Sequence, residues 1–285
     1  MLNPLRQLLA QRLDARLDSE LLDRIDQLKA SLGGHRTDAF GFDPDALKPV
    51  IPFVEFLYRT WFRVQTFGLD HIPTGRVLLI SNHSGQVPLD GMMIGTSLLL
   101  DAHPPRAVRS MVERWVPSLP YVSTFFARLG QVLGTPENCR ALLAEEHAVL
   151  VFPEGQPGIN KTFDKRYQLQ TFGNGFMRLA LETRTPIIPV GVVGAEEQYP
   201  ALWNLEKLGR LVGAPALPIA PTMLLPGIGL LPLPTRYRIW FGHPMTFSGD
   251  PDDDDTVIGG KVAQVKAAVE GLLQHGLAER EHVFW

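Results

Sequence analysis

The chain has 285 residues, enough for one large core or a core with a small helical extension, and a formal net charge of −3. That charge, with no basic stripe of interleaved aromatics, excludes a general nucleic-acid binder. The single cysteine, Cys139, excludes an intramolecular disulfide and a cysteine-based zinc cluster, and it fits a reducing compartment.

Residues 1–34 are charged throughout and hold no apolar stretch of the kind a secretory signal needs. Leu17, Leu21, Leu22, Ile25 and Leu28 recur at helical spacing, with Asp18 or Ser19 able to cap the start and Gly33-Gly34 the end. The evenly charged polar face makes this amphipathic helix a packing or interface arm. Residues 35–45 read as a polar linker, so the chain divides into residues 1–45 and a main domain over 46–285.

Residues 50–69 place Phe53, Phe56, Tyr58, Trp61, Phe62 and Phe67 among Glu55, Arg59 and Arg63, which predicts an interfacial helix. Val77-Leu78-Leu79-Ile80 then reads as a buried strand running into the loop Ser81-Asn82-His83-Ser84-Gly85-Gln86-Val87-Pro88. A histidine at a strand end with an acid, Asp90, just beyond it has the parts of a base and its orienting carboxylate. The competing reading of Asp90 is a complement to the N-terminus of a helix that Pro88 opens.

Residues 107–112 and 131–133 read as strands, and Pro136-Glu137-Asn138 begins a helix running through 141–146. His147 to Phe152 is another buried strand, ending in Pro153-Glu154-Gly155. An irregular loop with cations follows, holding Lys161, Lys165 and Arg166, and a helix spans 175–182 with Arg178. Thr185 to Gly194 is an apolar strand interrupted by proline. Val212 to Thr235 carries no charge but six prolines, which cannot make a spanning helix; such a loop either packs onto the protein or dips shallowly into lipid. A strand over 236–241 and a helix over 261–273 complete the pattern, the acidic run 250–255 capping that helix. Alternation of this kind predicts an α/β fold, a mixed, largely parallel sheet flanked by helices with an N-terminal helical extension. No apolar run reaches the roughly 20 residues of a spanning helix.

Asn82-His83 with Asp90, Phe152-Pro153-Glu154-Gly155 and Pro186-Ile187-Ile188-Pro189-Val190, in this order, resemble the glycerol-phosphate and lysophospholipid acyltransferase family over about residues 50–245. The resemblance implies transfer of a fatty acyl group from acyl-CoA or acyl carrier protein to a hydroxyl of a lysophospholipid or related glycerolipid. His83 would be the general base and Asp90 its partner, with Asn82, Glu154, Gly155, Lys161, Lys165 and Arg166 at the substrate. It implies no cofactor beyond the acyl-donor substrate and no metal. Membrane lipids would be the partners, with acyl carrier protein as a further one, and the enzyme would sit peripherally on the cytoplasmic face of a membrane. An acyl-chain substrate also favours lipid contact for the uncharged loop over 212–235.

Two departures bear on that reading. The acid follows His83 by two residues more than the family's usual spacing, and no arginine follows Gly130 until Arg140, where the family keeps a phosphate-binding arginine. They leave open a lipid-binding protein of the same fold without activity, and a hydrolase of lipid esters or thioesters. With no Gly-x-Ser-x-Gly elbow and no cysteine–histidine pair, transfer would proceed without a covalent acyl-enzyme. Backbone N–H groups of the Gly85 or Gly155 loops are the expected oxyanion donors.

Overall fold

The strand Val77–Ser81 (β2) is buried at every position and pairs in parallel on both sides, with Ala148–Val151 (β5) and Ile187–Val193 (β6). Runs of Val, Ile and Leu suit such a strand because helices cover both faces of a parallel sheet. In this computed structural model, which describes residues 17–84, 87–113, 122–204, 218–224, 229 and 231–285, those three strands are the centre of a seven-stranded sheet. With Gln65–Phe67 (β1), Val108–Val112 (β3), Val132–Leu133 (β4) and Arg238–Phe241 (β9), the order is β1-β9-β6-β2-β5-β3-β4. The β6–β9 pair is antiparallel and the others are parallel, so the sheet is mixed and largely parallel, as expected.

Alternate residues of β2 feed two cores. Val77 and Leu79 join Leu21, Ile25 and Leu28 of helix α1 (Ser19–Ala30), with Met93, Ile94 and Leu98 of a helix over Leu89–Leu100. Leu78 and Ile80 face Leu142 of Pro136–Ala144, Met177 of Gly175–Thr183, and Val262, Val265 and Val269 of Asp255–Ala278. Each fully buried aliphatic side chain contributes about 1.5–3 kcal/mol. In chain order these helices are α3 (89–100), α5 (136–144), α7 (175–183) and α8 (255–278). Helix α2 runs over Ile51–Glu55, α4 over Val122–Arg128 and α6 over Gln156–Ile159.

The expected interfacial helix over 50–69 is shorter. Helix α2 passes into a wider π-helical stretch, Phe56–Trp61, and the chain turns at Arg63 (φ 46°) into β1. Its aromatics divide, with Tyr58 and Phe62 in the core and Phe53 and Phe56 exposed, 62% and 46%. The segment 35–45 is not a free linker. Asp38 accepts from the N–H groups of Phe40 and Phe42 (2.8 and 2.9 Å) and pairs with the fully buried Arg109 of β3. A buried guanidinium needs such a partner, and that need docks the segment. Helix α1 is docked as well, Arg24 donating to the carbonyls of Leu99 (3.2 Å) and Ala102 (3.0 Å) at the end of α3. That is where a cation complements a helix dipole.

The uncharged stretch 212–235 lies partly outside the described residues. Its described part includes Pro218–Ile219 (β8), paired antiparallel with Trp203–Asn204 (β7), and a 3₁₀ turn over Pro221–Leu224. Among the described residues no helix is long and apolar enough to cross a membrane.

Candidate active site

Because β5, β2 and β6 are adjacent and parallel, their C-terminal ends open at one edge, the usual position for a ligand in such sheets. His83 follows β2, Glu154 follows β5, and Glu196 follows β6.

His83 Nδ1 lies 2.8 Å from Asp90 Oδ2. Asp90 is in the first turn of α3, as expected, and is fully buried. Its Oδ2 also accepts from the Ser84 N–H (2.9 Å) and its Oδ1 from the Gly91 N–H (2.8 Å). The extra residues in the loop therefore do not separate the pair. A carboxylate acceptor at Nδ1 selects, for the neutral ring, the tautomer with its proton on Nδ1 and the lone pair on Nε2.

Three further contacts position His83. Its ring stacks on Phe152, centroids 4.0 Å apart and planes 19° from parallel. The backbone N–H of His83 donates to Glu154 Oε1 at 2.8 Å. Gly158 of α6 lies so close that a Cβ there would sit 2.9 Å from the Cβ of both His83 and Glu154. The far limb of the loop is tied by Gln198, which donates to the Val87 carbonyl (3.1 Å) and accepts from the Tyr237 hydroxyl (2.7 Å). Phe152 was visible in the motif only as a strand residue. Gly158, Gln198 and Tyr237 carry no local sequence signal, because their roles exist only across the fold.

The other candidates take varied places. Asn82 is buried and exchanges hydrogen bonds with Val192, Nδ2 to its carbonyl (3.1 Å) and Oδ1 from its N–H (2.8 Å), so it extends the β2–β6 pairing. Glu154 is 3% exposed and its second oxygen accepts from the Gln170 N–H (2.7 Å), so protein donors occupy both oxygens. Gly155 has φ 56°, a conformation side chains rarely adopt. Its N–H donates to the Phe152 carbonyl (3.1 Å), which takes it out of the running as an oxyanion donor, while Gly85 lies outside the described residues.

The expected loop cations separate. The Lys161 side chain is 3% exposed, 2.8 Å from Glu196 Oε1 and 3.7 Å from Glu154 Oε2. Lys165 and Arg166 are exposed, Arg166 folding over the Phe163 ring at 4.5 Å. Arg178 pairs with Asp255 (2.8 Å) and Arg140 with Glu182 (2.7 Å). Burial pushes the Glu196 carboxyl up to about 7, against the pull of the Lys161 ammonium. Burial also raises the Cys139 thiol to about 11, in keeping with a packing role. A small cleft lined by Lys161, Thr162, Phe163, Glu196 and Tyr199 lies beside Gly158.

A family model described as Acyltransferase matches residues 63–193, from β1 through β6 and across the whole His83–Glu154 constellation. An uncharacterized protein of Mycobacterium leprae is 38% identical over 89% of this chain and 71% of its own length. The chain belongs to the acyltransferase family. It is an acyltransferase, and the matched span takes in His83, Asp90 and Glu154. An uncharacterized protein of Mycobacterium tuberculosis is 36% identical, over 89% of this chain and 73% of its own. A Gallus gallus protein named as a DGAT1/2-independent enzyme synthesizing storage lipids is 25% identical over 75% of this chain and 60% of its own. The crystal structure of the 1-acyl-sn-glycerophosphate acyltransferase PlsC from Thermotoga maritima superposes with a TM-score of 0.53 at 16% identity. It covers 84% of this chain and 83% of that one, a likeness of fold.

Proposed function

We propose that this acyltransferase moves a fatty acyl group from a thioester, acyl-CoA or acyl carrier protein, to a free hydroxyl of a glycerolipid, with His83 as general base. The observation that carries the reading is the 2.8 Å contact between His83 Nδ1 and the buried Asp90 at the mouth of the parallel strands. Nε2 takes the proton of the lipid hydroxyl as its oxygen attacks the thioester carbonyl. The tetrahedral intermediate collapses by breaking the carbon–sulfur bond, and the imidazolium returns its proton to the leaving thiolate. Asp90 stabilises the imidazolium meanwhile. A positioned base of this kind accounts for about 10²–10⁴-fold in rate.

His83→Ala is therefore expected to lower transfer of labelled acyl groups by at least about 100-fold. Stability should change by only about 1 kcal/mol, since the ring is at the edge of the core. A variant that keeps its turnover sinks the base assignment. Release of free fatty acid in place of acylated lipid favours the hydrolase, and binding without either product favours the inactive lipid binder.

Two readings of the acceptor remain in competition, a lysophospholipid and a lipid alcohol without phosphate. The enclosure of Lys161 by Glu154 and Glu196 favours the second, since that cation is already paired. The storage-lipid name of the Gallus gallus relative points the same way. Presenting lysophosphatidate and diacylglycerol side by side in vesicles distinguishes them by the product formed. Contact with a membrane is supported by exposed Phe53 and Phe56 and by Leu231, 53% exposed. The last lies on a segment joined to the π-helical stretch by the Trp61 Nε1 bond to the Pro232 carbonyl (3.1 Å).

A further inference from the structure

The loop after α6 and the turn after β6 bring two carboxylates to one ammonium in a place almost closed to water. The exposures of the Lys161, Glu154 and Glu196 side chains are 3%, 0% and 5%. Glu196 Oε1 holds Lys161 Nζ at 2.8 Å and is itself fixed by the Tyr167 N–H at 3.0 Å. The same ammonium stands 3.7 Å from Glu154 Oε2, whose other oxygen accepts from the His83 backbone N–H at 2.8 Å. A continuous path thus runs from the end of β6, through Lys161, to the residue that bears the imidazole.

We propose that Lys161 is a positioning residue: held by Glu196, it keeps the Glu154 carboxylate aimed at the His83 backbone and so sets where the imidazole stands. The inference rests on His83 being the base. Two buried carboxylates near each other repel, and without a cation one of them must turn away or take a proton. Either change weakens the anchor on the His83 N–H, and a misplacement of about 1 Å in a catalytic group can cost roughly 100-fold in rate. The arrangement also explains why a lysine in a cation-bearing loop faces inward. Its charge answers the glutamate of the Phe152-Pro153-Glu154-Gly155 turn.

The test measures two independent quantities on the full chain. With palmitoyl-CoA as donor and lysophosphatidate or diacylglycerol in vesicles as acceptor, Lys161→Met should lower kcat by roughly 100-fold and leave both KM values nearly unchanged. Glu154→Gln should do the same, since an amide offers one acceptor where two N–H donors point. The double variant should lose no more than the worse single one, because both act through one contact. Separately, hydrogen exchange at the His83 amide should quicken in Lys161→Met, and Lys161→Arg should restore much of its protection. If Lys161→Met fails to fold, Lys161→Met/Glu196→Gln removes one charge of each sign and should show the same faster exchange. Additive losses, a raised KM for a phosphate-bearing substrate at unchanged kcat, or unaltered exchange at residue 83 would each overturn the proposal. Should the wild-type protein acylate neither lipid, the acceptor reading fails and the exchange measurement still decides the positioning role.

Discussion

At the scale of single residues, Asp90 and Glu196 show how burial assigns work to two carboxylates. Asp90 receives three donors, the His83 ring and the N–H groups of Ser84 and Gly91. Asp90→Asn replaces one acceptor oxygen by an NH₂ that must face a donor. Both rate and stability should fall, the latter by about 1–3 kcal/mol, as for a buried polar group left unpaired. Loss of stability with full turnover would reduce Asp90 to a helix-end residue. In Glu196, burial lifts the carboxyl from 4.5 to about 7. Between those values the folded chain binds more protons at this site than the unfolded chain, so the group's contribution to stability is fullest below 4.5 and declines as pH rises toward 7. Glu196→Gln abolishes that titration. Relative to wild type, its Tm should therefore improve as the buffer goes from acid to neutral pH, and a constant difference in Tm across the range would contradict the assignment.

At the scale of elements, the site depends on how closely short pieces of chain approach. Helix α6 packs against the His83 loop because residue 158 is glycine, with only 2.9 Å available to any Cβ beside those of His83 and Glu154. Gly158→Ala should push these elements apart, costing about 1–3 kcal/mol as overpacking does, and lower kcat more than either KM. Wild-type kinetics in that variant would mean that the loop yields without moving the imidazole. The helix over residues 51–61 illustrates a different point. Its aromatic density is legible in the sequence, but which rings face water is decided by a π-helical widening and the turn at Arg63. Tyr58 and Phe62 go to the core, Phe53 and Phe56 to the surface.

For the whole molecule, a site at the C-terminal edge of β5, β2 and β6 and an exposed aromatic pair on α2 and its π-helical continuation suit an enzyme that takes its acceptor from a lipid surface. The purified protein is expected to float with liposomes. Phe53→Ser/Phe56→Ser should weaken flotation several-fold while thermal stability holds, both rings being exposed. Unchanged flotation would move the contact elsewhere on the surface.

Much of this was local information. Four consecutive apolar residues running into Ser81-Asn82-His83, and four more before Phe152-Pro153-Glu154-Gly155, specify buried parallel strands whose ends carry polar groups, and the α/β class follows from their alternation with helices. Local pattern suffices there because strand burial on both faces demands an unbroken apolar run. What the fold alone decided is which groups meet. Residues 83 and 154 are distant in the chain and touch because β2 and β5 pair in register, Leu79 opposite Leu150. Lys161 reads as a loop cation, yet it turns inward because β6 delivers Glu196 beside β2 and two buried carboxylates require a counter-charge. Such a requirement arises only when several strands converge, and no stretch of sequence, read by itself, contains it.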